Sequence, residues 1–474
     1  MRIGFLATEI DKGGAARAMQ RSMKAMAMLG HEVVLIALSR DGASNGPVVH
    51  VSDKTPARIA SRSDLAHWFY NGVYAGKNRN ALSNTLFWVP SVGFELAGLL
   101  RRLALDVINI HWTSYFLSMD SLRDILSLPA PTVFTLHDMA HFTGGCHYSA
   151  GCRRFETDCS PCGQLKWDPL RVPGHVREQR QAIYAETKPW VVAPSHWLIS
   201  EAEASGLFDP GRLRYVSNGL DLQTFQPVDR AAARAALGID EDAHVIMFGA
   251  FDNVERRKGF DLLLQSVSAL MARAPFREWG EQGKLVVVGF GSNLPAIEIP
   301  GVKVKATGYI SDDDELATAY SACDVVALPS RQDNQPNVMI ESLACGTPVV
   351  AFGIGGALDL IENGTNGALA PPFDVEAFAD GLAAVLLDAA ADGEMRAKSR
   401  RSVETLVGLY DHGIALAKVM GEAIAARSGA AEGDLCRANK PSLPEAVQFP
   451  TFSHATFFGG ALDRVTASAL KALR

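Results

Sequence analysis

No stretch of the 474 residues approaches the ~18 uninterrupted apolar residues of a membrane-spanning helix. The opening residues, MRIGFLATEI, run straight into a strand-like pattern. They carry no basic segment, apolar core and small-residue cleavage site in the order of a secretory leader. The chain is therefore expected in the cytoplasm, where its seven cysteines stay reduced unless they bind something. A positive excess is also missing. The 45 basic side chains face 52 acidic ones, a net charge of −7, which argues against a nucleic-acid binder.

What is present is ordinary globular composition, 48% hydrophobic and 20% charged. The length exceeds what one core comfortably fills, so two domains are expected. Strand-like runs at Arg2–Thr8, Glu32–Ala37, Asp106–His111, Thr132–Leu136, Trp190–Ala193 and Leu213–Val216 alternate with helical patterns such as Ala15–Leu29. The pattern repeats at His244–Gly249, Lys284–Gly289, Val302–Thr307, Val325–Leu328 and Pro348–Ala351. Alternation of this kind predicts parallel sheets covered on both faces. The expected organisation is α/β, with two facing Rossmann-like, doubly wound domains at 1–225 and 226–400. A helix at 401–427 and an irregular tail at 428–474 follow. The ligand crevice is expected at the carboxyl ends of the strands, in the cleft between the domains.

The segment Asp333 to Val350, DNQPNVMIESLACGTPVV, carries the most chemistry. A helix starting after Pro336 leaves the N–H groups of Asn337, Val338 and Met339 open to a diphosphate. Glu341 lies about one turn inside, where its carboxylate can accept hydrogen bonds from a ribose diol. Asp333 precedes the helix on a loop and can face sugar hydroxyls. The spacing resembles the acidic-x7-Glu motif of the family-4 (group 1) retaining glycosyltransferases, which have the GT-B fold. SNGLD (217–221), RKGFDLLL (257–264), VVVGFGS (286–292), TGYI (307–310), CDVVALPS (323–330) and NGALAPPFD (366–374) match in the same order, over roughly residues 1–420. The resemblance implies that Glu341 binds the nucleotide ribose and that Asp333 contacts the transferred sugar. The family usually has Glu at that place, one methylene longer.

A departing diphosphate gathers negative charge and needs cations. Lys258 resembles the family lysine with that role. The family's arginine after the strand glycine is replaced by Ala250, so Arg257, or Arg256, is expected to supply the second cation. Gly13 and Gly14 resemble the glycine loop beside the donor phosphate and acceptor. His137, at the end of TVFTLH, resembles the histidine that contacts the donor sugar. The run Asp312-Asp313-Asp314 reads as a helix cap rather than a metal site, and no catalytic cofactor is expected. No side chain stands out as a nucleophile. The resemblance implies a front-face reaction in which the leaving phosphate takes the acceptor's proton. The partners implied are a nucleoside-diphosphate sugar and a glycan or lipid-linked glycan, in polysaccharide or lipopolysaccharide assembly. The rivals are a sugar-nucleotide-binding scaffold without activity, and a GT-B epimerase or phosphorylase. No pyridoxal-phosphate lysine motif supports a glycogen-type phosphorylase.

Four cysteines, Cys146, Cys152, Cys159 and Cys162, cluster within an insertion at 138–169 that resembles one in some polysaccharide-assembly members. A structural zinc is the first expectation for them, reduced thiols the second, disulfides the third. On the first helix Arg17, Arg21 and Lys24 share a face opposite Met19, Met23 and Met26. The basic face is expected to be solvated. The alternative is a peripheral dock on an anionic membrane surface that bears the acceptor.

Overall fold

The computed structural model describes residues 1–39, 41–51, 68–391, 393–428 and 452–454. The strands are β1 (Arg2–Ala7), β2 (Glu32–Ala37), β3 (Val48–His50), β4 (Val92–Phe94), β5 (Val107–Ile110), β6 (Thr132–Thr135), β7 (Trp190–Ala193) and β8 (Leu213–Tyr215), followed by β9 (His244–Asp252), β10 (Leu285–Ser292), β11 (Val302–Gly308), β12 (Val325–Leu328), β13 (Val349–Phe352), β14 (Gly367–Ala370) and β15 (Phe452–His454). They build two parallel sheets, ordered β3-β2-β1-β5-β6-β7-β8 and β11-β10-β9-β12-β13-β14. Central strands such as RIGFLA are buried along their whole length, because helices cover both faces of a parallel sheet. Four strands carry weak signals and escape a sequence reading: β3, β4 and β15 are three residues long, and β14 reads GALA.

Strand order reverses between β1 and β5 in the first sheet and between β9 and β12 in the second. Doubly wound sheets bind ligands at such reversals, beyond the carboxyl ends of the strands. The chain returns from each sheet through loops at those ends, and the two reversals lie on opposite walls of one cleft.

Three helices position the site: α1 (Gly14–Met28), α2 (Asn337–Ala344) and α3 (Leu409–Ser428). The single helix expected at 401–427 is two, Met395–Val403 and α3. The second of them leaves the second domain. Its Leu416, Val419, Met420 and Ala423 share a core with Met19, Met23 and Met26 of α1. Gly413 permits the approach, since a Cβ there would lie 3.2 Å from the Ala25 carbonyl oxygen. At the crossing, Leu220 donates its N–H to the Val407 carbonyl at 2.6 Å. Leu220 and Phe225 already belong to the core of the second domain. Of the tail at 428–474, only Ser428 and β15 are described, and β15 pairs antiparallel with β4.

The basic face of α1 is turned to the second domain rather than left free for solvent or a membrane, although Lys24 at its end stays 45% exposed. Arg17 binds Asp313 at 2.8 Å, Arg21 binds Glu341 at 2.6 Å and Lys24 binds Asp221 at 2.5 Å. All three carboxylates lie in or beside the second domain. Helical periodicity showed correctly that these cations share a face, but it could not show that a second domain supplies their counter-charges. Among the described residues, no helix is long and apolar enough to cross a membrane.

Candidate active site

Two loops of the second domain bring the predicted cations to the predicted acid. The turn Arg256–Lys258 follows β9, and residues 329–336 follow β12. Lys258 Nζ lies 2.8 Å from Asp333 Oδ2, and Arg257 Nη1 lies 2.8 Å from Oδ1. Burial alone would raise the Asp333 pKa, but Arg257 and Lys258 overcome it and hold the carboxyl well below the usual range. Arg257 is fixed on every side. It pairs with Glu255 at 3.0 Å, donates to the Gln332 carbonyl at 3.0 Å and lies 4.0 Å from the Tyr148 ring centroid. Arg256 instead turns away and donates to the Ala81 carbonyl. Arg257 is thus the second cation beside Asp333.

Glu341 is buried, with 2% of its surface exposed, which makes its partners decisive. One oxygen takes Arg21, and the other accepts the Tyr320 hydroxyl at 2.9 Å. Arg21 lies over the Phe225 ring at 5.2 Å, and its Nη1 is buried with no hydrogen-bond partner among the described residues. At the start of α2, the N–H groups of Asn337 and Val338 make no bond among the described residues. The N–H of Met339 does not share that freedom, because it donates to the Pro336 carbonyl at 3.0 Å. A tight first turn removes one of the three expected donors.

The first domain supplies the facing wall. Gly13, at φ 87° and ψ 166°, occupies backbone space that only glycine enters without strain. The Gly14 carbonyl accepts from Asn337 Nδ2 at 3.0 Å, which joins the glycine loop to α2. The His137 carbonyl accepts from Asn334, next to Asp333, at 3.2 Å. The His137 ring stands 2.9 Å from His111 Nδ1, and the two rings stack. Thus Gly13, Gly14, His137, Arg257, Lys258, Asp333, Asn337, Val338, Met339 and Glu341 lie along one interdomain seam.

Burial pushes His137 and His141 down to about 4, so both are neutral at pH 7. Unfolded histidine titrates near 6.5. Their neutral burial therefore carries no cost above about pH 6.5 and destabilises the fold progressively as pH falls towards 4. Asp333 acts with the same sign lower down: its ion pairs stabilise above about pH 4 and are lost on further acidification. His137→Gln is expected to flatten the fall in Tm between pH 7 and 4.5. Parallel wild-type and variant profiles would refute this assignment.

Two larger cavities open on the seam. One, of about 400 Å³, sits where β1 and β5 part and includes Glu9, Gly13, His111, Trp112 and Tyr115. The other, of about 440 Å³, lies beyond Tyr148 and Arg257, with Trp197 and Phe373 in its wall. Asp312 caps its helix through the N–H groups of Asp314 and Glu315, as its sequence context predicted. Cys146, Cys152, Cys159 and Cys162 share one small apolar cavity with Phe87, Phe155 and Pro173. None is in a disulfide. Burial raises the Cys159 thiol to about 12 and the Cys162 thiol to about 11. Among the described residues, no three His, Cys, Asp or Glu side chains are arranged to hold a metal.

Residues 242–388 match the family model for Glycosyl transferases group 1, and residues 12–224 match that for Glycosyltransferase Family 4. A D-inositol 3-phosphate glycosyltransferase of Kribbella flavida is 34% identical over 379 residues, which cover 76% of this chain and 82% of that one. The chain belongs to the group 1, family 4 glycosyltransferases. A second relative of the same name, from Saccharomonospora viridis, is 33% identical over 51% of this chain and 61% of its own. The chain thus spans less than two thirds of that relative's length. Solved structures establish the GT-B fold. Anabaena HepE in complex with UDP-glucose superposes with a TM-score of 0.59 at 17% identity, covering 89% of this chain and 100% of that one. Sucrose-phosphate synthase of Thermosynechococcus elongatus gives 0.60 at 19% identity, over 90% and 100%.

Within this family-4 glycosyltransferase, four side chains of the seam were not singled out as site residues by their sequence: Arg21, Tyr320, Tyr148 and His111. Tyr320 falls in the helix after Asp312-Asp313-Asp314 with no reading of its own, and Arg21 reads as part of a solvated basic face. Tyr148 falls in the cysteine-rich insertion and His111 ends a strand-like run, and neither carries a signature. Their roles come from tertiary contact alone.

Proposed function

We propose that this glycosyltransferase retains the anomeric configuration and moves a sugar from a nucleoside diphosphate to a glycan or lipid-linked glycan, in polysaccharide assembly. One observation carries the reading: Lys258, Arg257 and Asp333 form one cluster across the cleft from the Gly13-Gly14 loop, with Glu341 one helix turn away. The diphosphate fits between the cations, the N–H groups of Asn337 and Val338, and the glycine loop. The ribose fits Glu341, whose carboxylate accepts, while the open Nη1 of Arg21 donates. Lys258 exchanges Asp333 for the leaving phosphate as the glycosidic bond breaks, and Asp333 then takes a sugar hydroxyl. The leaving phosphate oxygen accepts the acceptor's proton, and the protein orients and neutralises. HepE, of the same fold, was solved with UDP-glucose, which makes UDP-sugars the first donors to try. The relatives named for D-inositol 3-phosphate offer a second acceptor class.

The four-cysteine cavity is part of the proposal as a structural element. Holding zinc there requires the four sulfurs to draw together around the ion. One zinc per purified chain would establish that rearrangement, and none would leave four protonated thiols as a small apolar core.

The test of the donor site is a thermal-shift screen against UDP, GDP, ADP and their sugars. The expected result is a higher Tm with UDP and UDP-sugars, followed by UDP release when a glycan acceptor is added. No shift with any nucleotide sinks the reading. Binding without turnover leaves the scaffold, and UDP formation without acceptor points to an epimerase-like reaction.

A further inference from the structure

The cavity at the β1/β5 reversal has an unusual balance of walls. Trp112 is half-buried and Tyr115 is 42% exposed, with ring centroids 6.1 Å apart. Trp88 backs Tyr115 at 4.3 Å, and His147 of the cysteine-rich insertion backs Trp112 at 5.6 Å. The rings are therefore held from behind and present their remaining surface to the cavity. Two charges face them, Glu9 and Lys12. Among the described residues neither has a hydrogen-bond or ion-pair partner. His111, the remaining titratable group of the wall, is spent on Asn109 and His137 through its two ring nitrogens, and burial keeps it neutral.

A phosphomonoester is held by several cations or by an arginine fork. This cavity offers one exposed lysine and sets an unpaired carboxylate against it. The N-terminal N–H groups of α1 at Gly14 do not fill the gap, because in the proposed donor site they serve the leaving diphosphate. A neutral pyranose has the opposite needs. Its C–H face packs on aromatic rings, and its hydroxyls donate to a carboxylate and accept from an ammonium.

We infer that the cavity takes the terminal neutral pyranose of the acceptor, stacked on Trp112 and Tyr115 with Glu9 and Lys12 on its hydroxyls, and does not take a sugar or polyol phosphate. The inference rests on the glycosyltransferase reading above and narrows its acceptor. It also sets this chain apart from the substrate for which its relatives are named. Glu9 and Tyr115 are specificity residues in this account, and the donor cluster is untouched by them.

The experiment uses the whole chain loaded with UDP and reads ligands by saturation-transfer NMR. The probes are the methyl α- and β-glucosides, galactosides and mannosides, against myo-inositol 3-phosphate and inorganic phosphate. At least one methyl pyranoside is expected to bind, phosphate is not expected to displace it, and inositol phosphate should give no signal. Glu9→Gln and Tyr115→Leu should each weaken pyranoside binding about tenfold while leaving the UDP thermal shift unchanged. Trp112→Ala serves only if its melting curve matches wild type, since its ring packs on the insertion. Inositol phosphate binding, no pyranoside binding to the UDP-loaded protein, or unaltered binding in both Glu9→Gln and Tyr115→Leu would overturn the inference. Failure to bind UDP at all would instead overturn the donor reading.

Discussion

Lys258→Ala is expected to reduce kcat about 10²–10³-fold with little change in fold, the scale seen when one positioned stabiliser of developing charge is removed. Among the described residues, Lys258 is held by fewer contacts than Arg257, the other cation of its cluster. Arg257 is clamped by Glu255, the Gln332 carbonyl and the Tyr148 ring, whereas Lys258 holds Asp333 through one contact. A flexible ammonium with one partner can swing to a phosphate, but a guanidinium held on several sides cannot. Loss of Lys258 leaves the buried Asp333 paired with Arg257, so no buried charge is stripped of its last partner and the cost to stability is small. Steady-state kinetics with a saturating UDP-sugar provide the check. A variant within threefold of wild type would remove Lys258 from the mechanism.

The second large effect is on stability. Glu341→Ala strips Arg21 of its carboxylate where both side chains are at most 8% exposed. Leaving one member of a buried pair costs about 3–5 kcal/mol. The variant should melt several degrees lower and lose its stabilisation by UDP. Arg21→Ala should lose stability for the mirror reason. The double variant should recover part of the loss, because neither orphaned charge remains. Additive losses in the cycle would mean that the two groups act independently. In the proposed donor site, ribose arriving at Glu341 would meet a residue that both domains already hold through Arg21 and Tyr320.

Most of the fold was legible because buried parallel strands leave a plain trace. VVLIA, WVVA and VVAL are uninterrupted apolar runs, and the strands expected at Glu32–Ala37, Trp190–Ala193 and Val325–Leu328 have the bounds found. The grouping of the proposed donor wall was legible because it is local: Asp333 and Glu341 share a loop and the following helix, and Lys258 lies in the turn after β9. What sequence could not supply was distance in space. Arg21 stands 320 positions from Glu341, and no periodicity links them. Met339 lost its expected free N–H to a carbonyl three residues earlier, a detail of turn geometry rather than of residue type. The helix expected to trail the second domain returned to the first, because the methionine face of α1 needed cover that the sheet alone did not give.

That return alters what the word domain means here. Residues 1–216 are a contiguous segment but not a complete folding unit, since their core is finished by residues about two hundred positions later. A chain cut after Val403 would keep every donor-site residue and yet bare Met19, Met23 and Met26. The link between the two halves is likewise double, with one thread passing near Leu220 and the other near Val407, bonded to each other where they pass. Two threads side by side act as an axle rather than a tether. Any opening of the cleft would therefore turn about the line these two threads define, with less twist and slide than a single thread would allow.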